Sequence, residues 1–133
     1  MNKIFRIAIL VAALCAASWY ALPYLWPSLY DTESLEAFSW NGYGQIIPTH
    51  EAVPYLTTLL YFISLLGMYL YKNWARVLFL LLNIFYIAIS PFYGISVSGP
   101  VDAIPGQLGT LANGFLIAIA YLTGISSRFR NNA

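Results

Sequence analysis

Residues 52–71 read AVPYLTTLLYFISLLGMYLY, an unbroken run of 20 residues without a charge. Polar and apolar residues do not alternate in it, so it does not describe a half-buried strand. As a helix rising 1.5 Å per residue it is about 30 Å long, the thickness of a bilayer's hydrocarbon core. Downstream, residues 77–95 and 107–125 form two further uncharged runs of 19 residues each. The segment 72–76 between the first two runs is short enough only for a tight helical hairpin turn. Upstream, the apolar run Ile7–Leu22 reaches back through Ile4 and Phe5 if Arg6 snorkels its charge to the interface.

These four runs predict an all-α integral membrane protein: a four-transmembrane-helix bundle with an ordered extracytoplasmic loop between helices 1 and 2. The expected organisation is one membrane domain over residues 1–133. Its spans are 4–22, 52–71, 77–95 and 107–125, its outer loop is 23–51 and its cytoplasmic tail is 126–133. Composition points the same way, because 60% of the chain is hydrophobic and 8% is charged, against about 25% charged in soluble domains. Too few polar groups exist to cover a water-soluble globule.

The first run has a rival reading as a cleaved secretory signal peptide over residues 1–18. Lys3 and Arg6 form a basic start, and Ala16-Ala17-Ser18 forms a small-residue cleavage site. Apolar and aromatic character continues past that site through Trp19, Tyr20, Leu22, Tyr24 and Trp26, which favours a retained helix reaching the interface.

Charge is sorted by side. Lys3, Arg6, Lys72, Arg76, Arg128 and Arg130 all flank one end of the four runs, and Asp31, Glu33, Glu36, Glu51 and Asp102 all flank the other. Short loops rich in Lys and Arg remain in the cytoplasm, so both termini are expected inside a bacterial inner membrane and the acidic loops outside. Aromatics gather at both boundaries as expected anchors, with Trp19, Tyr20, Tyr24, Trp26, Tyr55, Phe92 and Tyr93 at the outer and Tyr69, Tyr71, Trp74, Tyr121 and Phe129 at the inner.

Apart from Arg6 at its edge, the runs contain no ionisable Asp, Glu, Lys, Arg or His. Proton relays and coupled pumps need such groups within the membrane, so this argues against proton coupling. Small multidrug-resistance transporters share the size and span number but depend on a first-helix glutamate that this chain lacks. The stretch GMYLYKNWAR (Gly67–Arg76) is superficially similar to the basic end of the second span in small quinone-associated DoxX-type proteins. An interfacial Trp beside a cytoplasmic Arg accounts for that turn without any family.

The intramembrane polar residues are Thr57, Thr58, Ser64, Asn83, Ser90, Asn113 and Thr123. Helical rise sets Ser64 and Asn83 at one depth and Thr57, Thr58, Ser90 and Asn113 at another, where cross-helix bonds are expected. Gly106, Thr110, Gly114 and Ala118 on the last span, with Ala12 and Ala16 on the first, form small-residue stripes suited to close helix packing. Pro91 is expected to kink the third span. Cys15 is the single cysteine and His50 the single histidine, so neither a disulfide nor a recognisable metal-ligand spacing exists. A surface enzyme built on His50, Glu51, Asp31 and Asp102 is the weakest reading, and no catalytic residue, metal or cofactor is expected.

The outer loop is longer than a helix connection requires. Trp26-Pro27 is expected to end the first helix, and Asp31 or Thr32 to cap a short helix carrying Leu35 and Phe38. Asn41-Gly42 signals a two-residue β-hairpin between Phe38-Ser39-Trp40 and Tyr43-Gly44-Gln45. Tyr30, Glu33, Glu36, Phe38, Trp40 and Tyr43 are the candidate partner-binding residues, since exposed Trp and Tyr dominate binding hot spots. Ser64, Asn83, Ser90 and Asn113 are the candidate polar groups within the bilayer.

The sequence therefore predicts a small non-enzymatic interaction protein, either an accessory subunit or an immunity-type protein against a membrane-active toxin. The alternative is an oligomeric channel or uncoupled small-solute transporter. Expected partners are the lipid bilayer and either a protein or further copies of the chain, with no nucleic acid.

Overall fold

A computed structural model describes residues 2–46 and 52–131, and every regular element in them is helical. In order these are α1 (Asn2–Leu29), α2 (Thr32–Phe38), α3 (Ala52–Tyr69), α4 (Asn73–Ile89), a 3₁₀ turn (Ser90–Phe92), α5 (Pro100–Leu122) and α6 (Ser126–Asn131). Three of them are long and apolar enough to cross a membrane: α1, α4 with its 3₁₀ extension, and α5. The stretch that opened the sequence reading forms α3, a shorter apolar helix of 18 residues. His50 and Glu51 lie outside the described residues.

Helix α1 lies chiefly against α5, and α3 chiefly against α4. Buried side chains show where the two pairs meet. They are Phe5, Ala8, Ile9 and Ala12 from the start of α1, and Tyr61, Ser64, Leu65 and Met68 from the second half of α3. Ala75, Phe79 and Leu82 come from the first half of α4, and Ala112, Leu116, Ile119 and Ala120 from the second half of α5. All of these fall toward the basic end of the helices. The core therefore fills that end, and the opposite half of the bundle is less tightly closed.

At the basic end, rings take the place of carboxylates. Phe5 stacks on Tyr71 at 5.8 Å, and Phe129 meets Phe5 at 6.1 Å and Tyr71 at 5.6 Å edge-on. The Arg76 guanidinium lies 4.9 Å from the Tyr121 ring centre and 5.4 Å from that of Phe129. It also donates from Nη1 to the Ala120 carbonyl and the Ser126 hydroxyl, both at 3.3 Å. A cation among ring faces, at the negative end of α5, is held with no acidic partner among the described residues. Arg6 sits 4.7 Å from the Tyr69 ring centre, consistent with a charge carried back to the interface.

The tight turn between α3 and α4 has an unusual left-handed residue. Tyr71 has φ +57°, its N–H bonds to Met68 O at 3.0 Å, and the Lys72 N–H bonds to Gly67 O at 2.8 Å. This is the Schellman pattern, which normally places glycine at the left-handed position. Tyr71 occupies it because its ring is one of the three that close the basic end.

Several sequence expectations are corrected. Helix α1 does not stop at Trp26-Pro27 but runs through Pro23 and Pro27 to Leu29, and the Tyr30 N–H still reaches Trp26 O at 3.0 Å. Proline removes a donor without forcing a helix to end when packing holds the flanking turns. At Pro91 the third span changes form: α4 ends at Ile89 and Pro91 stands second in the 3₁₀ turn Ser90–Phe92, where its fixed φ fits. The expected β-hairpin is absent, because residues 39–44 form turns closed mostly by local bonds such as Tyr43 N–H to Trp40 O, while Gly42 N–H and the Tyr43 carbonyl bond to Ile95. Helix α5 starts at Pro100, which brings Asp102 from a loop into the first helical turn. The stripe Gly106, Thr110, Gly114 and Ala118 is exposed, and α5 instead buries a face carrying Ala112, Leu116 and Ala120.

The left-handed turn yields a test. Both Tyr71→Ala and Tyr71→Gly remove the ring, but only Ala keeps the left-handed strain. The glycine variant should therefore be the more stable of the two by about 1 kcal/mol in reversible unfolding. Equal stabilities would remove backbone strain from the account of this turn.

Candidate functional site

The acidic end is organised by a buried acid. Asp102 is 4% exposed and stands in the first turn of α5, where the N-terminal end of the helix dipole favours negative charge. Its two carboxyl oxygens accept from Trp26 Nε1 at 3.1 Å and from the Tyr30 hydroxyl at 3.3 Å. The Tyr30 oxygen in turn accepts from the Val101 N–H at 3.1 Å. Gly99 lies directly against the Tyr30 ring, so any Cβ there would collide with it. One side chain thus fixes the last turns of α1 to the first turn of α5.

Phe38 completes this node. It is the last residue of α2, is buried, and packs at 4.9 Å against both the Trp26 and the Tyr30 ring. Helix α2 starts where the sequence reading allowed, with Asp31 as N-cap accepting from the Ser34 N–H at 2.8 Å. The Ser34 side-chain and backbone bonds hold the Asp31 pKa below its ordinary value of 3.8. A lowered pKa means that the cap is intact above the ordinary carboxylate range and is lost as pH falls through the folded value.

Beyond α2 the chain is laced to the segment that follows α4. The Asn41 side chain donates to Val97 O at 2.9 Å and accepts from the Val97 N–H at 2.7 Å. Gly42 N–H bonds to Ile95 O at 2.9 Å, Ile95 N–H to Tyr43 O at 3.0 Å, and Ile46 N–H to Phe92 O at 3.1 Å. Gly94 has φ +80°, and a Cβ there would strike the backbone of Tyr43 and Gln45. Residues 30–46 and 92–102 therefore form one ordered cap.

The six candidate partner-binding residues divide on this cap. Tyr30 and Phe38 are committed to its interior. Glu33 and Glu36 are exposed, as are Trp40 at 61% and Tyr43 at 74%. The cap thus presents two carboxylates and two large aromatics outward from a braced base.

Beneath the cap, polar residues connect three helices. Tyr61 donates to Asn113 Oδ1 at 2.7 Å, Asn113 Nδ2 to Asn83 Oδ1 at 3.0 Å, and Asn83 Nδ2 to Phe79 O at 2.8 Å. The expected pairing by depth is corrected here, because Asn83 pairs with Asn113 and Ser64 turns back to its own helix at Tyr61 O, 2.6 Å away. Ser90 is exposed and joins no cross-helix bond among those described. Thr58 shares a 2.6 Å bond with Tyr20 of α1.

Above this ladder lies a cavity of about 350 Å³ between α1, α3, α4 and α5, lined by Ala16, Trp19, Thr57, Tyr61, Thr110 and Asn113 among others. A second, of about 240 Å³, sits under the cap beside Trp26, Asn41 and Asp102. No group of three or more His, Cys, Asp or Glu suited to a metal exists among the described residues. No protein family, curated protein or solved structure matches this chain.

Sequence reasoning missed Asp102 as the node and treated Trp26 as an interfacial anchor. One signal was present: Pro100 directly after Gly99 and before an apolar run marks a helix start, which puts Asp102 in the first turn.

Asp102→Asn presents an amide N–H₂ where one of two donors now bonds, leaving that donor unsatisfied. The cap should lose about 1–3 kcal/mol, seen as faster proteolysis within residues 30–46 while the helices stay intact. Asp31→Ala should remove amide-exchange protection at Ser34 at neutral pH. The unaltered protein should lose it only on acidification below the ordinary carboxylate range.

Proposed function

We propose that this chain is a small non-enzymatic interaction protein of the bacterial inner membrane. In this reading α1, α3, α4 and α5 all cross the bilayer, both termini are cytoplasmic and the cap faces outward. Segregation of the basic and acidic residues to opposite ends supports that orientation. Helix α3 completes the fourth crossing, with α2 and the laced loops resting on the outer surface.

The observation that carries the reading is the division of the outer residues between base and face. Trp26, Tyr30, Phe38 and Asn41 are spent on holding the cap rigid, and Glu33, Glu36, Trp40 and Tyr43 are left exposed on it. Rigid presentation of aromatics lowers the ordering cost of binding, and carboxylates beside them select a partner with basic character. An accessory subunit of a larger membrane complex and an immunity-type protein that occupies a cationic membrane-active toxin both meet this description.

The polar groups of the bundle favour packing over conduction. Tyr61, Asn113 and Asn83 bond to one another, and Ser64 to its own helix, so their hydrogen-bonding capacity is largely used internally.

The decisive experiment is affinity capture from native membranes with Trp40→Ala/Tyr43→Ala beside the unaltered protein. A partner held through this face should be lost by at least about tenfold, with thermal stability unchanged. Undiminished capture by an intact double variant would exclude the face, and solute flux through liposomes carrying the purified protein would support the oligomeric channel or uncoupled transporter instead.

A further inference from the structure

The larger cavity has a composition that specifies a class of ligand. At about 350 Å³ it falls at the lower end of small-molecule sites, which run from roughly 300 to 1,000 Å³. Among the described residues its lining contains no Asp, Glu, Lys, Arg or His. A charged ligand would be desolvated there without a counter-ion, so charge is excluded by cost.

Three hydroxyl protons of the lining are engaged. Thr57 donates to the Val53 carbonyl at 2.9 Å and Thr110 to the Gly106 carbonyl at 3.0 Å, while Tyr61 donates to Asn113. Each of these oxygens keeps lone pairs, and the lining is therefore rich in acceptors. Asn113 contributes the second N–H of its amide, the first being given to Asn83. Donors face it as well, since Trp19 Nε1 and the Tyr86 and Tyr93 hydroxyls line the cavity and take part in none of the described hydrogen bonds. The ligand that satisfies such a surface is one that both donates and accepts, as a hydroxyl does. The remaining walls, including Ala12, Ala16 and Pro105, are apolar and suit a hydrocarbon body.

We propose that this cavity binds an uncharged amphipath from the surrounding leaflet, a molecule with a hydroxyl-bearing head on an apolar chain. The head sits against Thr57, Thr110 and the Tyr61–Asn113 pair, and the chain leaves past the small residues Ala16 and Gly106. The site shares no residue with the exposed face of the cap. It stands or falls independently of the interaction role assigned to that face.

Cys15 makes the test direct, because it lines the cavity and is the single cysteine of the chain. Full-length protein in phosphatidylcholine nanodiscs is labelled with N-ethylmaleimide and followed by intact mass. The probe is 1-decanoylglycerol, compared with decyl sulfate, which is charged, and methyl decanoate, which has no hydroxyl. Decanoylglycerol should slow labelling of Cys15 about tenfold at saturation, with less than a twofold effect from either comparison compound. Thr57→Val/Thr110→Val keeps the shape and removes two acceptors, and should raise the half-protecting concentration about tenfold, the equivalent of about 1.4 kcal/mol. Gly106→Leu fills the cavity and should abolish protection, with Ala16→Leu serving the same purpose if that variant does not fold. Absence of protection by decanoylglycerol, equal protection by all three compounds, or unchanged protection in both the threonine and the filling variants would overturn the proposal.

Discussion

A buried carboxyl group must be met by donors, and the outer half of this protein is arranged around that requirement at Asp102. Trp26 and Tyr30 supply the donors from α1, which requires α1 to remain helical past two prolines. Tyr30 then rests on Gly99, Phe38 covers both rings, and α2 follows from where Phe38 is held. Each step is a local response to the one before it. The acid holds a helix pair together at the end where core packing is thin.

The two ends of the bundle solve opposite electrostatic problems. At the basic end, cations lie on ring faces and on the carbonyls that close α5, and no acidic residue from that end is needed. At the acidic end, one carboxyl group is buried among aromatic donors, while Glu33 and Glu36 remain exposed on the cap. Sorting charge by end leaves few chances for ion pairs across the bundle, so aromatic side chains serve both ends. This gives much of the 17% aromatic content a structural role beyond interfacial anchoring.

Packing follows the same asymmetry. The buried core occupies the basic half, where Phe5, Phe79, Met68 and Leu116 are fully enclosed. Toward the cap, small residues such as Ala16, Gly106 and Gly109 leave space, and hydroxyl and amide groups line it. A bundle closed at one end and braced across the other leaves an open cavity in between. The exposed cap and the cavity are thus two consequences of one arrangement.

The sequence by itself determined the helical class, the apolar runs, a tight connection after the second run and the sorting of charge, because each rests on properties of consecutive residues in a bilayer-sized window; the turn itself lies at 70–72 and not at 72–76, since Asn73–Arg76 already belong to α4. It also narrowed the cap of α2 to Asp31 or Thr32, a signal carried within four residues, and the structure selects Asp31. Only the tertiary structure decided that Asn41-Gly42 serves a turn bonded to residues 95–97 instead of a hairpin, that Asn83 pairs with Asn113, and that Asp102 is buried. In every one of these cases the partner is a group many residues away, whose position depends on how the helices rotate against one another. Local pattern states what a segment needs, and the packing of the whole bundle selects which distant group supplies it.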